Sequence, residues 1–377
     1  GEDAGEDAGE DAGETAGETA GEDAGEDAGE TPPEMSEEKI AAVPSPEGEE
    51  GWAGLSSCPL NQVQTQVPNQ WRSPRTLEAA EEPTLIYVSP DGEGDGASAD
   101  RPTSLDQLSP SSVAYLSLLP GTYNLDRDLG EIGSRELVMF SPCAASVIVN
   151  VDRSLSLENR EWVILSGLTL NKLSGNPTVD LLNFRSSRRV SLEKSHIIAH
   201  GGGIAVSAPA VGGLMVRESI IEGGLLGLLT TARQTELRRL WIKGFHRGGL
   251  LAYDAEKLPQ ADLTQEPRFN IDQSLIASQV LVEGGDRSPV VGMAFGRLDV
   301  ALDQIRINKI SKSQDKPLTR GGVIAFGSQL SGRLIEGNEL QGAGISLFSS
   351  VAHLSEVSLT GGRPAIYSRS VVNWPRI

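Results

Sequence analysis

The chain is 377 residues long with a formal net charge of −20, and the acidity is unevenly placed. Residues 1–50 hold 19 acidic side chains and one basic one, Lys39, whereas the rest holds 33 acidic and 31 basic groups and is close to neutral. A body without basic excess argues against general nucleic-acid binding, and no apolar run approaches the roughly 20 residues of a bilayer-spanning helix.

Residues 1–31 repeat the tetrapeptide GEDA or GETA. Alanine is the only apolar residue in it, too little to offset the entropy of ordering. Glycine at every fourth position works against a helix, and like charges extend the segment. The Pro-, Glu- and Ser-rich continuation behaves alike, so residues 1–50 are expected to form a disordered acidic spacer and residues 51–83 an extended leader. Such a repeat resembles the stretch that follows the lipid-modified cysteine of bacterial lipoproteins. That resemblance implies a stalk at a cell surface, and Gly1 in place of Met fits a processed chain with a lipid anchor upstream. Cys58 and Cys143 match no zinc-ligand spacing; they either bridge, pinning the leader onto the body, or remain two thiols.

From Thr84 the pattern changes to short strands. Leu85-Ile86-Tyr87-Val88 runs into Ser89-Pro90-Asp91-Gly92, then Arg101-Pro102-Thr103-Ser104-Leu105, then Leu118-Leu119-Pro120-Gly121-Thr122-Tyr123. This opening resembles the first coil of many secreted right-handed parallel β-helix proteins of the pectate-lyase-like kind. The resemblance implies an opening strand and a short helix, expected near Ser104–Leu108, that cap the end of a β-helix spanning residues 84–377.

The centre of the chain repeats itself. Ser191–Ile198, Leu214–Ile221 and Glu236–Ile242 each alternate apolar and polar residues, and each leads through glycines to a second apolar strand. Taking Ile197, Ile220 and Ile242 as equivalent gives periods of 23 and then 22 residues, which suit one coil of three short strands. The leucine and asparagine pattern of leucine-rich repeats is missing. Stacked coils bury together what one cannot bury alone. Two insertions, after Tyr253 to about Asp272 and from Lys312 to Arg320, either wall a groove or are tolerated loops.

Signals for chemistry are sparse. The sequence has no G-x-S-x-G, H-E-x-x-H, Walker A or C-x-x-C motif, and its four histidines form no triad signature. The resemblance makes polysaccharide chemistry the natural enzymatic expectation: lyases use an Arg or Lys base beside a cation-neutralised carboxylate, and calcium would be the cofactor. His200-Gly201 is a fragment of a polygalacturonase motif whose aspartates are absent. The repeat stacks Glu222, Lys243 and Glu283 on neighbouring coils, with His246 and Arg247 nearby; this is either a base held beside a cation site or a surface ion-pair ladder. Arg185, Arg188 and Arg189 form a second basic group that could meet an acidic sugar. The expectation is an exported protein at a cell surface, in a bacterial envelope, that binds a glycan or a surface partner without turnover. A polysaccharide lyase and a structural envelope protein are the alternatives.

Overall fold

The computed structural model describes residues 66–78, 83–125, 129–142, 144–173, 179–255, 271–285, 291–310, 321–361 and 365–369. The acidic segment 1–50, both cysteines, insertion 312–320 and most of the insertion after Tyr253 lie outside them.

The described strands form a right-handed parallel β-helix. Two sheets, of fifteen and nine strands, pair throughout in parallel, and crossovers between parallel strands take the right-handed path. Each full coil lays down three strands, here called its first, second and third faces. Strand Arg189–Glu193 lies on the first face, His196–Ala199 on the second and Ile204–Ala208 on the third. The next coil fuses its first two into Gly213–Gly223 and continues with Leu226–Thr230 on the third. The opening strand Leu85–Val88 pairs with Val113–Leu118, and the expected helix is a single 3-10 turn, Leu105–Gln107.

The register differs by one residue from the sequence-based alignment. Ile197 pairs with Ile221, not Ile220, and Ile221 with Ile242, so the spacings are 24 and 21 residues. Corner residues 200–203 shrink to 224–225 in the following coil. The Ile220-Ile221 pair offers two alignments that hydrophobicity cannot separate. Packing does separate them, since a one-residue slip exchanges the two sides of a strand. Ile197, Ile221, Ile242 and Val282 belong to the interior cluster, and Ile220 does not.

The corner between the first and second faces is built the same way on successive coils. Lys194, Glu218, Arg239, Gln279, Gln304, Leu334 and Glu356 all have φ of 48–55°. The strand pairing skips these residues. One left-handed residue turns the chain sharply, at an energetic cost for a residue with a Cβ. Across the interior, Gly227, Gly249, Gly292, Gly322 and Gly344 recur at one third-face position. A Cβ on Gly249 would stand 2.5 Å from Val282 Cγ1, and one on Gly292 2.7 Å from Ile307 Cγ2. These glycines let the second and third faces meet at close range.

Residues 66–78 form a strap across the outside of the first face. Val67 and Trp71 pack on Tyr115, Val138, Phe140 and Ile164, with the Trp71 and Phe140 rings 5.1 Å apart. Trp71 Nε1 donates to Glu193 at 3.2 Å, Trp162 Nε1 to the Trp71 carbonyl at 3.0 Å, and Thr76 Oγ1 to Glu136 at 2.9 Å. A segment expected only to be an extended leader thus carries its own small core.

Candidate functional site

Glu222, Lys243 and Glu283 occupy one row of the second face, directly in register. The sequence alignment had set Glu222 opposite Gly244; the one-residue correction brings it opposite Lys243. Lys243 Nζ is 3.3 Å from Glu222 Oε2 and 4.8 Å from the centre of the Trp241 ring. His196 Nε2 approaches the same carboxylate oxygen at 3.1 Å. Both His196 and Lys243 are largely buried, with side chains 12% and 14% exposed. The His196 hydrogen bond, reinforced by Lys243 and opposed by burial, holds the Glu222 carboxyl down at about 2. Farther along, Glu283 pairs with Lys309 at 2.6 Å and Arg306 with Glu336 at 2.9 Å.

This arrangement is an ion-pair lattice. Lys243 is held between the Glu222 carboxylate and the face of the Trp241 ring. His196 escaped sequence reasoning because its partner lies one coil away along the chain, where no local motif connects the two. His246 and Arg247 sit at the following corner, where their N–H groups bond the Gly224 and Leu225 carbonyls. Among the described residues, no three His, Cys, Asp or Glu side chains come together as a metal site.

The middle strands of the third face contribute no acid or base. The insertion after Tyr253 leaves from its corner with the first face, and insertion 312–320 returns to it from the second. Between these points run Gly248–Tyr253, Val291–Gly296 and Gly321–Phe326, none of which contains an acidic, basic or histidine residue. Leu251, Ala294 and Ile324 follow one another in register there.

The arginines lead to a different feature. A groove of about 1120 Å³ runs along the corner between the third and first faces, lined by Arg188, Arg189, Arg233, Trp162, Met215 and Ile276 among others. Arg188 and Arg189 stand where strand Arg189–Glu193 begins, and Arg233 precedes Gln234–Phe245 two coils on. Adjacent strands are ~4.8 Å apart, which sets these cations roughly 10 Å apart along the axis. The Arg189 guanidinium lies over the Trp162 ring at 5.0 Å. Both glutamates of the lining are already engaged: Glu161 with Arg75 at 3.2 Å and Glu236 with Arg217 at 2.7 Å. Arg188, Arg189 and Arg233 have no carboxylate partner among the described residues. Arg185, expected to belong with them, is exposed and does not line the groove. Ala255 and Gln273, which flank the first insertion, do.

No family model matches the chain, and a search of curated proteins finds no match. Among solved structures, pectate lyase Pel9A is similar. It is 12% identical, with a TM-score of 0.46, over 74% of this chain and 78% of that one. No helix among the described residues is long and apolar enough to cross a membrane.

Proposed function

We propose that this protein is an exported β-helix that binds an acidic glycan in the arginine groove and does not turn it over. The supporting observation is the set of three guanidiniums with no carboxylate partner among the described residues, one laid on an indole, in a groove that crosses several coils. Guanidinium forks suit carboxylate and sulfate groups, and an aromatic face suits the apolar side of a sugar ring. A uronate or sulfated chain supplies both. The paired charges of the second face and the uncharged middle strands of the third give no comparable support to a lyase.

Titration with labelled oligogalacturonates and heparin oligosaccharides tests this. Arg188→Ala, Arg189→Ala and Arg233→Ala should each weaken binding roughly tenfold or more, since one charge-assisted hydrogen bond is worth ~1.5–3 kcal/mol. No absorbance of unsaturated product should develop during incubation. Product formation that disappears in Lys243→Ala would instead establish a lyase centred on the second-face row. Binding indifferent to all three arginines would remove the groove from the account.

A further inference from the structure

Consecutive coils cross the floor of the groove, and their outward residues alternate in character. At the corner, successive coils carry Arg188, Gly212, Arg233 and Gln273. Backbone bonds hold that register: the N–H groups of Gly213, Gln234 and Ser274 donate to the carbonyls of Arg188, Gly212 and Arg233 at 2.9, 3.3 and 2.9 Å. Farther along the strands, the outward position carries Ser191, Met215, Glu236 and Ile276 in the same order. All but Ser191 of these eight line the groove. The first and third coils thus bring guanidiniums, and the second and fourth bring a glycine or an amide beside an apolar side chain.

The other charges of the lining are engaged. Glu236, on the third coil, is held by Arg217 at 2.7 Å. Glu161, one coil ahead of the first, faces Arg75 at 3.2 Å and Arg135 at 4.0 Å. Arg189 shares the first coil with Arg188 and lies over Trp162. The second coil is bare. A Cβ on Gly213 would meet nothing within 4 Å, so packing does not demand glycine there, and Met215 is half-buried beside it. On the fourth coil Ile276 is 55% exposed.

Neighbouring coils lie ~4.8 Å apart, close to the advance of one six-membered sugar in an extended chain. A chain lying along the groove therefore sets one sugar against each coil. A homopolyuronate would place every second carboxylate over Gly213 and Met215, giving up water for no donor. An uncharged sugar carrying a methyl group gains apolar contact at the same place.

We propose that the groove selects a polysaccharide in which a uronic acid alternates with an uncharged N-acetylated amino sugar. The acids meet the guanidiniums of the first and third coils, and the acetyl methyls meet Met215 and Ile276. This selectivity rests on the acidic-glycan reading above and names its repeat.

The experiment measures binding of hyaluronan oligosaccharide, which alternates glucuronate with N-acetylglucosamine, and of oligogalacturonate with the same number of sugars. Hyaluronan carries half the charge and should nevertheless bind wild type about tenfold tighter. Gly213→Arg puts a cation on the bare coil and should reverse that order, tightening oligogalacturonate about tenfold and weakening hyaluronan. Met215→Ala should weaken hyaluronan about fivefold and oligogalacturonate less. Oligogalacturonate binding wild type as tightly as hyaluronan, or more tightly, would overturn the alternating repeat and leave the acidic-glycan reading in place. Binding of neither probe would remove both. A folded Gly213→Arg protein that keeps the wild-type order would also overturn the repeat. Should that variant fail to fold, a Met215→Ala protein affecting both probes equally would do so instead.

Discussion

Arg160 is 2% exposed, and its guanidinium donates to the carbonyl oxygens of Leu129, Ile132 and Gly133 on the preceding coil. Those carbonyls belong to a corner rather than a strand, so no neighbouring strand pairs with them. Arg160→Met keeps most of the volume and removes the donor of the Ile132 and Gly133 carbonyls, while Leu129 still accepts from the Ile132 N–H. It should lower unfolding free energy by about 3 kcal/mol, each unsatisfied buried group costing ~1–3 kcal/mol, as measured by urea denaturation. Glu222 makes a pH-dependent contribution. Its folded-state value, about 2, lies below the 4.5 of a free carboxyl. The stability it adds is therefore complete above about pH 4.5 and drains away as the pH falls toward 2. Denaturation measured across that window should show a shallower loss in Glu222→Gln than in wild type. Glu222 was visible in the sequence as a candidate, whereas Arg160 and His196 were not. Arg160 is one arginine among many until its burial is known, and His196 lies 26 positions from the carboxylate it grips.

At the scale of strands, alternation made the faces legible, and the repeated glycines marked where the chain bends. The interior glycine row was not distinguishable from corner glycines, because tight turning and close approach both select the same residue. Space separates them. Gly249→Ala would push a Cβ to 2.5 Å from Val282 Cγ1 and 2.7 Å from the Gly292 carbonyl, whereas a Cβ at Gly213 meets nothing within 4 Å. Thermal unfolding should therefore report a loss of about 1–3 kcal/mol for Gly249→Ala, the usual range for overpacking. Gly213→Ala should stay within about 0.5 kcal/mol of wild type. The strap was missed for a related reason. Residues 66–78 carry no period of their own, and Trp71 is a core residue only because Tyr115, Val138 and Ile164 happen to be the apolar members of an outward row.

Across the whole β-helix, each coil touches mainly its neighbours, so stability is close to a sum of nearest-neighbour terms. That is why a repeat period read from three segments sufficed to recognise the architecture. It is also why function stayed hidden, since a groove is a property of several coils together and no single period contains it. The basic group at Arg188 and Arg189 was visible; the approach of Arg233, two coils later, was not. If these cations capture an acidic chain, binding is electrostatic over a partly open surface. Affinity should fall steadily as salt shortens the Debye length from ~10 Å at 0.1 M to ~3 Å at 1 M. Titrations across that range should show a shallower slope in Arg189→Ala, and a salt-independent affinity would count against the groove.

The strap has a mechanical consequence as well. Its anchor points are spread over several coils: Phe140 and Glu136 on one, Trp162 and Glu161 on the next, Glu193 on the one after. A pull applied to the chain ahead of residue 66 would meet this clasp before it reached the opening strand Leu85–Val88. The load would be shared among those coils at once instead of peeling the first strand from Val113–Leu118. A protein held by its N-terminal end against flow could then yield at the clasp while its coils stay wound, and the surface uncovered at that moment would be the one bearing Glu136 and Glu193.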